Sequence, residues 1–486
     1  MKKNIIKFSV LFLFVILLIT NCTGDFEKIN TDPDRAKDAP ATNVLAFSIR
    51  YWSSTFYDVW AEMNETSTYA GHLTKIQYID EARYNFRPGV VENKWYYVYR
   101  VLNNVNEIRT KAEQDDNQNM LAVSKVFRAY VFQCATDTWR DIPYSDAIKI
   151  KDGVLLPKYD KQEDIYPDLL KELKEAADIF AAKHTDALDE GDLLFKGDIE
   201  KWQKFTNSLR LRLAMRISEV SKDLAKSTVE EVLKNPSKYP IMDSNDDNAF
   251  FWWQGTSPYE EPWFVDSKGR DDHGVSDVLI NALLELNDPR ISEYAYPAAS
   301  DGKYRGFIIG ATAQPALASI SRVGERFRKD PKGFSPYMRY AEVMFLIAEA
   351  AHKGFATGGI TEAQAYNAAV EASLLENGVS EEDITAYLAG KGKFNGTLDQ
   401  LYLQEWIALF KQGLEAWSLY RRTGIPKTHY VAPGSIYPGH NSPPFRYPYP
   451  QNEFTLNGAN IQPFASEVVD EFWGKRMWWD TRSGVN

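Results

Sequence analysis

Six histidines, two cysteines and 67 acidic side chains are the groups in this chain with the chemistry to act as ligands, nucleophiles or general acids. His72, His184, His273, His352, His429 and His440 show no zinc-ligand spacing, and no HExxH, CxxC, P-loop or GxSxG motif occurs. A glycoside hydrolase needs only two carboxylates about 5–10 Å apart, which an acid-rich chain neither guarantees nor excludes. The aromatic side chains say more. Seven lie between Phe250 and Phe264: Phe250, Phe251, Trp252, Trp253, Tyr259, Trp263 and Phe264. Flat rings stack on the C–H faces of sugars, and Trp and Tyr offer large, stiff contact area at low entropic cost. Trp252, Trp253 and Trp263 are therefore the first ligand-binding candidates. Asp266, Arg270, Asp271 and Asp272 follow closely and are either hydrogen-bond partners for hydroxyls or a solvated loop. Strand alternation sets Phe250 and Trp252 on one face and Phe251 and Trp253 on the other, one pair inside and one outside. The second candidate stretch runs from His72 to Arg87 and leads to Trp95. It contributes Tyr78 and Arg83, while Trp95 has an equal claim to the core because it sits on an apolar helix face.

These side chains need a scaffold, and helical periodicity supplies it. The spacing predicts helices over about 42–54 (with Thr42 as N-cap), 57–70, 90–111, 120–138, 165–182, 199–220, 336–353, 361–376 and 398–420. The third carries Trp95, Val98, Leu102, Val105 and Ile108 at three- and four-residue steps. Helices arriving in pairs with short joints predict stacked hairpins. The pair at 340–372 comes closest to a tetratricopeptide-like pattern, through Ala348 and Ala351 on one helix and Ala365-Tyr366-Asn367-Ala368-Ala369 on the other. Between about 240 and 335 the texture changes to aromatics and turn residues, which predicts an irregular, loop-rich lobe with short strands. A second irregular stretch, about 433–464, starts with six prolines between Pro433 and Pro450.

The N-terminus predicts export. Lys2, Lys3 and Lys7 precede an apolar run from Phe8 to Ile19, shorter than the about 20 residues a spanning helix needs. This is the pattern of a removable signal over residues 1–21. Ile19-Thr20-Asn21-Cys22 resembles the lipobox of bacterial lipoproteins, with Asn21 departing from the usual small residue, and implies acylation of Cys22 and an anchored mature unit over 22–486. Cys134, in the apolar run Tyr130–Ala135, is then the one remaining thiol, expected to be buried and unable to form an internal disulfide. The formal charge is −11, and −14 without residues 1–21. That balance excludes nucleic acid and anionic lipid as partners sought by charge.

Several segments, in order along the chain, resemble the SusD/RagB family of surface nutrient-binding lipoproteins of Bacteroidetes. Cys22-Thr23-Gly24-Asp25-Phe26-Glu27 and Asn30-Thr31-Asp32-Pro33-Asp34 are similar to its mature N-terminus. Leu286-Asn287-Asp288-Pro289-Arg290 with Tyr304-Arg305-Gly306 is similar to its middle motif. Tyr340-Ala341-Glu342-Val343 and Ile347-Ala348-Glu349-Ala350 match its best-known helix. Glu405-Trp406-Ile407-Ala408-Leu409-Phe410, Arg421-Arg422-Thr423-Gly424 and Tyr447-Pro448-Tyr449-Pro450, with Glu453 and Asn457, are similar to its C-terminal signature. The resemblance implies a mainly α fold of tetratricopeptide-like hairpins supporting the irregular lobe. It also implies capture of oligosaccharide at the outer-membrane surface beside a SusC-like TonB-dependent transporter, without catalysis or cofactor. Capture of peptide or another nutrient on the same fold is the alternative, and a glycoside hydrolase the third reading. Glu342 and Glu349, seven apart on one helix face, are expected to pair with arginines, and Arg421 and Arg422 to cap carbonyls or pair with such glutamates.

Overall fold

In the computed structural model residues 39–486 are described, and helices dominate them. The expected signal segment, Cys22 and the motif at 30–34 lie outside the described residues. Ten helices form the scaffold: α1 (Ala41–Phe56), α2 (Pro88–Gln114), α3 (Gln118–Trp139), α4 (Gln162–Ala181), α5 (Ile199–Arg216), α6 (Lys222–Lys234), α7 (Tyr340–His352), α8 (Glu362–Glu376), α9 (Leu398–Ala408) and α10 (Gly413–Thr423). From α1 to α6 each helix packs on the next, and α7 packs on α8, α9 and α5. This is the hairpin arrangement that the periodicity predicts.

Local chemistry starts these helices where the sequence signals them. Pro88 occupies the first turn of α2, where its missing N–H costs nothing. Asn117 caps α3 by accepting from Met120 N at 2.8 Å. Thr361 and Gln364 form a capping box on α8. Thr42 is not a cap. It lies inside α1, and its hydroxyl donates to Leu188 O and accepts from Gly191 N at 2.7 Å, tying α1 to a distant turn. Helix α3 is buried almost all round, Cys134 included, which marks it as the centre of the scaffold. Burial pushes the Cys134 thiol well above its usual range.

Two predicted helices are interrupted. Residues 336–338 belong to a strand, and α7 starts at Tyr340. The helix expected over 398–420 breaks between α9 and α10. Lys411 adopts a left-handed backbone (φ +65°). Its ammonium is drawn into the core to meet Glu261 at 3.0 Å, both side chains fully buried. Gly413 then presses so close to the chain that a Cβ there would lie 2.6 Å from Ser67 N. The later irregular stretch also turns helical at Gln451–Leu456 and Gly458–Ala465.

The motif carboxylates and arginines are paired inside. Arg212 grips Glu342 through two bonds of 2.5 and 2.7 Å. Arg422 does the same to Glu349 at 2.5 and 2.7 Å, and Arg290 holds Asp288 at 2.9 and 2.6 Å. Arg421 instead ties the end of α10 to the proline-rich segment, donating to Phe445 O at 2.9 Å.

The irregular lobe carries short strands: β1 (Leu73–Lys75), β2 (Ala249–Trp252), β3 (His273–Val275), β4 (Ala295–Tyr296), β5 (Arg322–Val323) and β6 (Phe334–Met338). One antiparallel sheet has the order β1-β3-β5-β4, with Thr74 opposite Gly274; β2 and β6 pair separately. Four short helices, at Pro262–Ser267, Asp277–Glu285, Ile291–Tyr294 and Glu325–Arg328, also lie in this lobe.

Candidate functional site

The sheet edge at β1 and the segment before it form one wall of a cleft of about 830 Å³. That segment, Val59–Thr66, is π-helical. Asp58 caps its start, accepting from Ala61 N at 2.6 Å, and burial pushes the Asp58 carboxyl up to about 6. Glu62 pins the segment from inside, accepting from Ser67 Oγ at 3.0 Å and from Gly413 N at 2.7 Å. The inner face is thus locked to α10, and Trp60 is left on the outer face, 42% exposed. Such wide turns recur at functional sites.

The opposite wall is the first turns of α2, with Asn93, Lys94 and Tyr97, and the loop 266–272 closes the end. Asp272 organises that end. Its carbonyl accepts from Ile76 N at 2.8 Å, continuing the sheet past β1. Its carboxylate bridges Lys75 at 3.5 Å and Arg270 at 2.9 Å. Arg270 in turn lays its guanidinium 4.3 Å from the ring centre of Tyr78. Tyr78 is 63% exposed and sits at φ +48°, a conformation rare outside glycine. Asn64 reaches the cleft floor, its Oδ1 bonded to a His273 ring nitrogen at 2.7 Å.

Lys94 lies on the floor, buried, donating to Tyr447 OH at 3.1 Å and to Ala61 O at 3.3 Å. Burial lowers its pKa against the pull of Glu65, Glu62 and Asp58. Behind it, Tyr447 donates to the buried Glu65. Burial pushes the Glu65 carboxyl up to about 8, with Lys94 opposing. The folded protein therefore holds a proton on Glu65 that the unfolded chain releases near its ordinary value. Between about pH 4.5 and 8 this group makes stability fall as pH rises, by about 1.4 kcal/mol per pH unit. Relative to wild type, Glu65→Gln should gain stability steadily across that window in denaturant titrations. A difference that stays flat with pH would mean that Glu65 is ionised in the fold.

The sequence-predicted side chains divide sharply. Tyr78 lines this cleft, as do Asp266, Arg270 and Asp272. Arg83 does not; its Nε donates to Gly434 O at 2.7 Å, fastening the turn to the proline-rich segment. Trp95 is core, edge-on to Trp139 with ring centres 5.1 Å apart. Trp253 is buried and donates to Ser335 Oγ at 3.1 Å. Trp263 is fully buried, with Lys411 Nζ 4.8 Å from its ring centre. Neither offers a free ring face in this structure. Strand β2 does not alternate inside and outside as expected. Phe250, Phe251 and Trp253 are all buried and Trp252 alone is exposed, because Phe334 covers Phe250 at a stacked 4.5 Å. Trp60, Asn64, Lys75 and Lys94 are absent from the sequence-derived set. Under α-helical spacing Trp60 falls on the same face as Trp52, Phe56 and Met63, so periodicity assigns it to the core and carries no signal for an exposed ring. Among the described residues no group of His, Cys, Asp and Glu is placed to hold a metal ion.

A SusD-like family model, described as starch-binding and associating with the outer membrane, matches residues 39–450. A solved chitin-binding protein is 27% identical with a TM-score of 0.76, covering 91% of this chain and 100% of its own. A chitin-binding SusD homologue from Flavobacterium johnsoniae is 24% identical with a TM-score of 0.79, covering 91% and 98%. A SusD homologue from Bacteroides uniformis is 24% identical with a TM-score of 0.78, covering 92% and 100%. The comparison with curated proteins gave no match. A family match over most of the chain, joined to motif residues paired in the core, shows that this chain belongs to the SusD-like family.

Proposed function

We propose that this chain captures oligosaccharide in the cleft between the π-helical segment and α2, at the outer-membrane surface, and hands it to a TonB-dependent transporter without reacting on it. One observation carries the reading: the exposed rings of Trp60 and Tyr78 border the same cleft as Asn64, Asn93, Lys75 and Arg270. Rings for C–H faces and donors for hydroxyls are the two things a sugar asks of a site. The four carboxylates of the cleft wall support binding rather than turnover, since each is already engaged. Asp58 caps, Glu81 pairs with Arg87 at 2.9 Å, Asp266 with Arg328 at 2.7 Å, and Asp272 with Lys75 and Arg270.

The family description supports the outer-membrane location. Anchoring through an acylated Cys22, on a single unit over 22–486, completes the proposal; among the described residues no helix is long and apolar enough to cross a membrane. The names of the chitin-binding relatives make N-acetylated chitohexaose the first probe, and the family description makes maltohexaose the second. Calorimetric titration of wild type is expected to give a binding isotherm with one of them and no release of reducing ends. Trp60→Ala and Tyr78→Ala should each weaken that binding by about 2 kcal/mol, roughly thirtyfold in Kd. Their melting temperatures should stay put, because both rings are exposed. Unchanged affinity in both variants would place the ligand elsewhere.

A further inference from the structure

A second cleft, of about 510 Å³, lies beside the β2–β6 pair and shares no residue with the first. Its platform is Trp252, 57% exposed at the end of β2. Phe334 on β6 backs the indole, with ring centres 5.2 Å apart, and Phe250 touches it at 5.9 Å. Phe250 is itself stacked on Phe334 at 4.5 Å, so a fixed pair of rings flanks the indole, tilted to it by 60° and 50°, and leaves more than half of it in solvent.

Polar side chains line the same cleft with hydrogen-bonding capacity to spare. Asp330 uses one carboxylate oxygen to accept from Lys332 N at 2.8 Å, leaving the second open. Asn248 accepts from Tyr340 N at 2.7 Å and donates weakly to Asn245 Oδ1 at 3.4 Å, which fixes the amide and leaves it a further N–H. Arg326 is held by the Glu376 carbonyl and lies 5.3 Å from the Phe334 ring centre. A backed ring more than half in solvent, an open carboxylate oxygen and an oriented amide meet in a space within the range that ligand pockets occupy. The acids Asp246, Asp330 and Glu376 outnumber the single arginine, which disfavours anionic ligands.

We propose that this cleft is a second saccharide-binding site, separate from the first, which takes a neutral sugar ring on the exposed indole of Trp252. The ligand class rests on the function proposed above; the location rests on the cleft itself. Two sites on one chain let a polymer long enough to span them bind with an avidity that neither site has alone.

The test is fluorine NMR on the full chain carrying 5-fluorotryptophan, with the Trp60 and Trp252 signals assigned from Trp60→Phe and Trp252→Phe. The probes are N-acetylated chitohexaose and maltohexaose. The expected result is a saturable shift of the Trp252 signal that persists in Tyr78→Ala. A Trp252 signal that stays still while Trp60 moves overturns the second site and leaves the first standing. A Trp252 shift that disappears in Tyr78→Ala overturns the separation of the two. If neither signal moves with either probe, both readings fall. A shift of Trp252 alone upholds this site and counts against the first.

Discussion

Replacing Arg422 with methionine is expected to destabilise the protein by about 3–5 kcal/mol, because it strands a carboxylate in the core. Glu349 is fully buried, and its two oxygens accept from Arg422 at 2.5 and 2.7 Å; Tyr402 OH adds a third bond at 2.9 Å. Burial works against the charge on Glu349, yet the guanidinium more than offsets it and holds the carboxyl below its usual range. The pair therefore contributes at neutral pH, and its contribution is lost as pH falls through that lowered value. Removing Arg422 leaves the desolvated Glu349 with only Tyr402 and the more distant Lys353 at 3.7 Å, which costs far more than the pair is worth as a whole. The double variant Arg422→Met with Glu349→Leu should accordingly recover most of the loss. Denaturant titration of the two variants reads this directly. A single variant that loses less than about 1 kcal/mol would mean that water reaches the pair.

The second large effect is expected at Trp263, where truncation to alanine should cost about 3–5 kcal/mol. Its ring is fully buried, edge-on to Phe410 at 6.4 Å and under the ammonium of Lys411 at 4.8 Å. Alanine would leave a cavity and remove the ring that shields the Lys411–Glu261 pair. Trp252→Ala, eleven positions earlier on the chain, should change stability by no more than about 0.5 kcal/mol, since more than half of that side chain is in solvent. Thermal and denaturant melts of the two variants, run beside a titration with the best oligosaccharide probe, separate core from surface. A Trp263→Ala protein with full stability and a specific loss of binding would reverse the assignment.

The contrast between these two tryptophans shows where a sequence is legible. Repeating patterns carry far: the three- and four-residue spacing through Trp95, Val98, Leu102, Val105 and Ile108 marks α2 and its buried face correctly. So does the seven-residue spacing of Glu342 and Glu349, whose arginine partners could be anticipated in kind. What the pattern cannot carry is contact between distant segments. The break between α9 and α10 depends on Lys411 finding Glu261, 150 positions earlier. The burial of Phe250 depends on Phe334 arriving across a strand pair. Trp60 was hidden for a related reason, because a π-helical turn shifts the phase that helical periodicity assumes. Arg270 and Asp272 were visible as suitable chemistry, but only β1, pairing with β3, brings them to Tyr78.

The charge balance of the first cleft sets how a ligand would arrive there. Lys75, Arg87, Lys94 and Arg270 face Asp58, Glu81, Asp266 and Asp272 across one space, four of each sign, most of them already neutralised by a neighbour. Little field escapes from such a lattice, so an incoming molecule is neither drawn in nor turned away at a distance. Encounter would run at the pace set by diffusion and orientation, and ionic strength would barely alter it. Discrimination among neutral glycans would then fall to residence time: which chains stay on Trp60 and Tyr78, rather than which ones reach them.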